Sequence, residues 1–323
     1  MKQRRKVFAR GYLLVFLLML APQSWGQDLN TAIGQADSER ISAIHQQFWD
    51  AFAERDLWAI SQLWDRTDNS ISAIFPAAAT PAIGWENIAE SYRRVFSHNR
   101  DIRVDPKIVR LRTASDLAWL IAAVRFEANQ TQTGQPVMIN RMLVTEIFRQ
   151  RQGTWYLVHY HGHNPAFIPP KETHIGMYAS GVVPQREEND VWLSYGRFSE
   201  AFEKLDLGAM FDLIASDDDV SAIQPAAPVP FLGPENVLAG WRKTFADMES
   251  ITCDPLVSKL SLSGSMAWIT DLSQFHIVFK NNPGEVRHFH NVNTTLIFRK
   301  QQDSWQLVHY HAHIGFSYDD HGH

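Results

Sequence analysis

Trp155-Tyr156-Leu157-Val158-His159-Tyr160-His161-Gly162-His163 returns as Trp305-Gln306-Leu307-Val308-His309-Tyr310-His311-Ala312-His313. Upstream of each copy the same order of shorter matches holds. Phe148-Arg149 answers to Phe298-Arg299, Ala118-Trp119 to Ala267-Trp268, and Asp105-Pro106 to Asp254-Pro255. Gly84-Trp85-Glu86-Asn87-Ile88 answers to Gly233-Pro234-Glu235-Asn236-Val237, and Ser72-Ala73-Ile74 to Ser221-Ala222-Ile223. Phe48-Trp49-Asp50-Ala51-Phe52 opens the series and Phe198-Ser199-Glu200-Ala201-Phe202 repeats it, always at an offset of 149 or 150. A repeat this long and this ordered is a duplicated domain.

Each copy carries the same pattern of elements. Ile41, Ile44, Phe48 and Phe52 recur at helical spacing over 38–55, and 56–64 continues as a second short helix. Residues 71–75 read as a short apolar strand stopped by Pro76, and Gly84 leads into a third helix over 86–97. Four strands follow, near 102–113, 116–129, 137–150 and 154–162, with turns at 129–136 and 151–153. Helices followed by a run of antiparallel strands predict an α+β fold. The expectation is two tandem cone-shaped domains, each with three helices packed on a curved antiparallel sheet.

The domains are expected at 38–168 and 190–318, joined by a linker over 169–189 that is rich in Pro, Gly and charge. Lys2, Arg4, Arg5, Lys6 and Arg10 precede an apolar run from Tyr12 to Ala21, with small residues at Ser24 and Gly26. That pattern fits a secretory signal over 1–26, cut near Gly26, which implies a periplasmic or secreted mature protein. Residues 27–37 read as a flexible lead-in. A single cysteine, Cys253, rules out an intramolecular disulfide, so the fold must rest on core burial. Of the 323 residues 45% are hydrophobic, and 11 Trp with 19 Phe supply aromatic interiors. The net charge of −5, without a basic stripe, gives nucleic acid no footprint.

Gly153-x-Trp155-x-x-Val158-His159-Tyr160-His161, Glu146-Ile147-Phe148-Arg149, and Val124-Arg125-Phe126 with the Gly134-x-Pro136 turn resemble the nuclear transport factor 2 superfamily. Within it, the pattern is most similar to the SnoaL-like group that includes the association (hub) domain of calcium/calmodulin-dependent kinase. The resemblance covers about 130 residues of each copy. It implies a cone opening between helices and the concave sheet face, with pairing through the opposite face. A tandem copy would then build an intramolecular pseudo-dimer, and further self-association is compatible with it. The superfamily hosts enzymes, binders and scaffolds, so the fold alone names no activity.

The hub-like pattern sets an Arg on the third-last strand into the cone, and Arg125 matches it; Glu146 falls where that pattern has a second Arg. Alternation from these positions puts Trp119, Arg125, Glu127, Asn140, Glu146 and Tyr160 in the first cone. The equivalents in the second are Trp268, Gln274, His276, His290, Leu296 and Tyr310. Tyr92 and Trp241 are expected to help wall each cone. Glu127, Glu146, His276 and His290 are the candidate acid–base groups, since a carboxylate in an apolar cone gains proton affinity and an imidazole titrates near neutrality. An Arg125–Glu146 ion pair is the plain structural alternative.

His159, His161 and His163, and again His309, His311 and His313, share one face of the last strand, roughly 6–7 Å apart at alternate positions. The same alternation turns them away from the cone, toward the presumed pairing face. Arg141 and Thr145 share that face in the first copy, and Asn291, Asn293 and Thr295 in the second, so a buried polar seam in which His of one copy meets polar partners of the other is expected; a metal site is the less favoured alternative. Asp319-Asp320-His321-Gly322-His323 could bind metal adventitiously.

Three functions fit. The first is an exported binder of a small apolar or aromatic ligand, with no cofactor. The second is a cofactor-independent isomerase, cyclase or dehydratase, and the third an assembly module.

Overall fold

A computed structural model describes residues 24–76, 78–165 and 186–315. Residues 1–23 of the expected signal sequence, most of the linker and the acidic C-terminal tail fall outside those residues. Among the described residues, no helix is long and apolar enough to cross a membrane.

The first copy runs α1 (Ser24–Glu54), α2 (Leu57–Leu63), β1 (Ser72–Ile74), β2 (Ala82–Ile83), α3 (Trp85–His98), β3 (Asn99–Ala114), β4 (Leu117–Gln130), β5 (Pro136–Arg151) and β6 (Thr154–His163). The second repeats it as α4 (Arg186–Glu203), α5 (Leu207–Leu213), β7 (Ser221–Ile223), β8 (Phe231–Leu232), α6 (Pro234–Ala246), β9 (Met248–Ser263), β10 (Met266–Phe279), β11 (Val286–Gln301) and β12 (Ser304–Ile314). Each copy holds a six-stranded sheet, β2-β1-β6-β5-β4-β3 and β8-β7-β12-β11-β10-β9. All neighbours are antiparallel except β1 with β6 and β7 with β12.

Local chemistry sets the element ends. The Asp56 carboxylate accepts from the Ala59 amide at 2.9 Å and starts α2, and Asp206 does the same for α5 through Gly208 and Ala209. Gly84 and Gly233 sit at φ +78° and +83° just ahead of α3 and α6, a conformation that disfavours a side chain. Helix α1 extends back through the segment that composition marks as a flexible lead-in. From Asp37 it is tied to the sheet: Trp155 Nε1 donates to the Asp37 carboxylate at 3.0 Å. The short β2 and β8, absent from the sequence reading, close small hairpins on β1 and β7.

The two sheets meet through the faces that do not carry helices, and the chain forms an intramolecular pseudo-dimer. Equivalent cationic side chains reach across the join to the same loop of the other copy. Arg110 donates to the Val220 carbonyl at 3.1 Å, and its counterpart Lys259 donates to the Ser70 carbonyl at 2.9 Å. Ile121 and Leu143 pack with Ile223 across the join, and the Arg149 guanidinium lies over the Trp268 ring, 5.0 Å from its centroid.

Candidate functional site

On α1, Ile41, His45, Phe48, Trp49 and Phe52 form one helical stripe; on α4, Val191, Tyr195, Phe198 and Phe202 repeat it. Each stripe points into its cone. In the first cone His45 Nδ1 lies 2.8 Å from Glu146 Oε2, with both side chains almost wholly excluded from water. Phe48, Trp49, Phe52, Phe75, Tyr92 and Tyr160 pack around them with ring centroids 5.1–6.4 Å apart. His45 Nε2, Glu146 Oε1 and Trp49 Nε1 are buried without a hydrogen-bond partner among the described residues. Burial raises the Tyr160 phenol far above its ordinary value, and the nearby Glu146 charge adds to the shift.

The second cone is built differently. Tyr195, at the helix position of His45, hydrogen-bonds Asp271 of β10. Leu296 stands where the first copy has Glu146, and Asp271 stands where it has Ala122. Ser258 Oγ donates to Asp271 at 2.5 Å and Ser273 Oγ donates to its other oxygen. Burial raises the Asp271 carboxyl above its ordinary value despite the lowering by these three donors. Beside it is a crevice of about 350 Å³, counting its solvent-open part, in which the centre of a water-sized molecule can range over about 30 Å³. Tyr195, Phe202, Cys253, Phe275, Thr294 and Tyr310 are among its walls. Burial raises the Cys253 thiol well above its ordinary value, helped by the Glu203 and Asp271 charges.

Of the residues expected to line the cones, Glu146, Tyr92, Tyr160, Trp241 and Tyr310 are packed into them. Trp241 stacks edge-on against Tyr310, 5.9 Å between centroids. The expected positions on β4 and β10 need correction, because both strands present the opposite face. Phe126 packs on Phe52 of α1, 6.4 Å between centroids, so Leu120, Ala122 and Val124 share its helix-facing side and Trp119, Arg125 and Glu127 lie on the other. Trp119 pairs across the sheet with Arg112, which reaches Asp219 of the other copy. Half-exposed Arg125 pairs with Glu127 on the outer surface, not with Glu146. In the second copy Trp268 lies under Arg149 at the join, Gln274 is not a wall of the crevice, and His276 bonds Asp254 and His288 outside it.

Asn140 and His290 are displaced for a second reason. Val124 pairs with Met142 and Phe126 with Ile139, so β5 spends two residues, Asn140 and Arg141, opposite Arg125. Such a bulge reverses the alternation beyond it. Ile139 turns into the core and Asn140 is exposed; β11 repeats the bulge at His290 and Asn291. His45, Tyr195 and Asp271 escaped the sequence reading. His45 had a signal, a lone imidazole on the apolar stripe between Ile41 and Phe48.

The histidine triplets form the expected seam. Ser72 Oγ, His159, Thr295 Oγ1, His161 and His313 make one chain of hydrogen bonds, each at 2.7–2.8 Å. Ser221 Oγ, His309, Thr145 Oγ1, His311 and His163 make its counterpart at 2.8–2.9 Å. His161 and His311 stack where the chains cross, 3.6 Å between centroids and 2° from parallel. Among the described residues, no three His, Cys, Asp or Glu side chains are placed to hold a metal ion.

A family model for the SnoaL-like domain matches residues 41–166 and again 194–316. The F-box protein SKIP8 of Arabidopsis thaliana is 25% identical over 126 residues, 39% of this chain and 50% of that protein; the chain thus spans about half the length of this curated relative. Among solved structures, a putative dehydratase of the NTF2-like family from Streptomyces avermitilis is 24% identical, with a TM-score of 0.37, over 41% of this chain and 97% of its own. A putative calcium/calmodulin-dependent kinase II association domain from Thiobacillus denitrificans is 23% identical, with a TM-score of 0.34, over 38% of this chain and 93% of its own. A ketosteroid isomerase-like protein from Erwinia carotovora atroseptica is 20% identical, with a TM-score of 0.35, over 41% and 96%.

Proposed function

We propose, for a chain that belongs to the SnoaL-like domain family in both of its halves, that it is an exported binder of a small apolar or aromatic molecule. The second cone is the binding site. The observation that carries this is the crevice beside Asp271, where apolar rings meet one hydrogen-bonding end built from Asp271, Tyr195 and Thr294. A mostly apolar cleft with a few convergent polar groups is the usual form of a small-molecule site. Among the described residues, the crevice walls carry one carboxylate, Asp271, and no imidazole. The ligand suited to it has a flat apolar body and one hydroxyl or carbonyl head. A ring-sized body enters by displacing the Phe202 or Phe275 side chain, since the free space is small.

The test is titration of the mature protein with naphthol and with acetophenone, followed by NMR. Saturable shifts confined to residues of the second cone are expected, with affinity reduced about tenfold in Tyr195→Phe, the loss of one hydrogen bond. Unsaturable shifts, or shifts spread over both copies, would remove this reading. Export is tested separately by finding the chain, shortened near Gly26, in the periplasmic fraction of a bacterial host.

The His45–Glu146 pair favours one other reading, acid–base catalysis in the first cone. Glu146 orients the imidazole and leaves Nε2 free to take or give a proton. Turnover would then be lost in Glu146→Gln with the fold retained. A substrate whose conversion survives that change rules the reading out.

A further inference from the structure

We propose that acid parts the two copies along the histidine seam, making the pseudo-dimer a pH-responsive joint.

The geometry of the hydrogen-bond chains requires at least one neutral imidazole in each His–His contact. In the contacts His161 Nε2 to His313 Nδ1, at 2.7 Å, and His163 Nδ1 to His311 Nε2, at 2.9 Å, one ring must donate and the other accept. A neutral imidazole has one N–H and one lone pair, which lets each chain run in a single direction from serine to the last histidine. A second proton on His161 or His311 turns both ring nitrogens into donors and reverses one link of the chain. It also sets a cation against a ring 3.6 Å away in the stack.

Among the described residues, the carboxylates that pair with histidine do so at His45 and His276, outside the seam. The neighbours of the triplets are Ser72, Thr145, Ser221 and Thr295, which are neutral, with Lys259 acting on His159 and Arg110 on His309, both cationic. Of the carboxylates at the join, Asp219 is paired with Arg112 and Arg299 and Asp68 with Arg149 and Arg151, while Asp116 accepts from the Ser263 hydroxyl. Arg141, from β5, donates to the Pro228 carbonyl and brings a further positive charge.

Burial accordingly holds His159 and His309 down to about 3 and His163 to about 4, with His161, His311 and His313 also well below 6.5. The sign follows from linkage. Once parted, these rings return toward 6.5 and bind protons that the closed seam refuses, so closure weakens as pH falls below that value. Each sheet carries its own copy's helices on the face away from the join. Parting therefore does not require either copy to unfold.

The experiment follows the mature chain from neutral pH to about pH 5. Hydrogen exchange, corrected for intrinsic rates, reports β6 and β12, small-angle scattering reports the radius of gyration, and far-UV circular dichroism reports the fold. The expected result is exchange in β6 and β12 faster by about tenfold or more, with a larger radius and an unchanged far-UV spectrum. In a His161→Gln, His311→Gln chain the transition should move to lower pH, because an amide hydrogen-bonds without taking a proton. Lys259→Met removes the cation that faces His159 and keeps both histidine chains, but it also removes the bond across the join to the Ser70 carbonyl; judged against its own closure at neutral pH, its transition should move the same way. Loss of far-UV signal together with loss of seam protection would overturn the proposal. An unmoved transition in Lys259→Met would overturn it equally.

Discussion

His45 and Tyr195 occupy the same place on the first helix of the two copies, and each hydrogen-bonds a buried carboxyl that comes from a different strand. Glu146 reaches His45 from β5, whereas Asp271 reaches Tyr195 from β10. After duplication, then, the cones kept a polar link between helix and sheet and changed both of its partners. Removing one member of a buried hydrogen-bonded pair leaves the other unsatisfied. Glu146→Leu, which installs the residue of the second copy, is expected to cost about 3 kcal/mol in chemical denaturation. Adding His45→Tyr should recover at least about 1 kcal/mol of that loss, the signature of coupled neighbours.

Asp271 sets up a prediction with the opposite sign. Its folded-state proton affinity is raised by burial, so the folded chain holds the proton to higher pH than the unfolded chain does. Stability attributable to this group therefore falls as pH rises through and above 3.8. Asp271→Asn should unfold at a higher temperature than the parent at neutral pH. The gain should shrink as the pH is lowered through 3.8, below which the parent carboxyl becomes neutral in both states. A gain that does not depend on pH would assign the effect to packing.

The repeat made the fold legible, and with it the pairing of two copies and the seam. The histidines of β6 and β12 alternate with Val158, Tyr160, Val308 and Tyr310, so apolar and polar sets fall cleanly on two faces. The phase of β4 had no such signal. Trp119, Ile121 and Ala123 are as apolar as Leu120, Ala122 and Val124, because one set is buried by the other copy and one by the helices. An arginine position carried over from the hub-like pattern then fixed the wrong phase. The bulges at Asn140 and His290 hid the remainder, since an extra residue in a strand leaves no mark in composition. Asp271 was invisible for the same reason as Trp268: with β10 phased wrongly, it fell on the outer face.

Cys253 reports the state of the second cone. It lines the crevice, and burial raises its thiol far above the ordinary range, so almost none of it is thiolate at neutral pH. Reaction with an aromatic disulfide reagent should be slower than in the unfolded chain by about a hundredfold or more. A saturating ligand in the crevice should slow it further. Fast labelling of the native chain would mean that the cone opens readily without ligand.

Gly162 is held to its size by Tyr160. A methyl group at position 162 would lie 2.5 Å from the Tyr160 hydroxyl and 2.9 Å from the ring carbon that bears it. Tyr160 cannot yield easily, because Phe48, Trp49 and Phe75 surround its ring at 5.8–6.4 Å. Gly162→Ala should therefore cost about 1–3 kcal/mol, the usual range for overpacking a filled core. The second copy carries Ala312 beside Tyr310 at the matching places, where the cone has a crevice to take up the difference. Two outcomes follow for the double-mutant cycle measured by denaturation. Tyr160→Phe, which removes the clashing oxygen, should restore much of the stability lost in Gly162→Ala, whereas Tyr310→Phe should not affect it. Additive losses at 160 and 162 would show that the first cone relaxes around the methyl group, and hence that it is less tightly filled than its rings indicate.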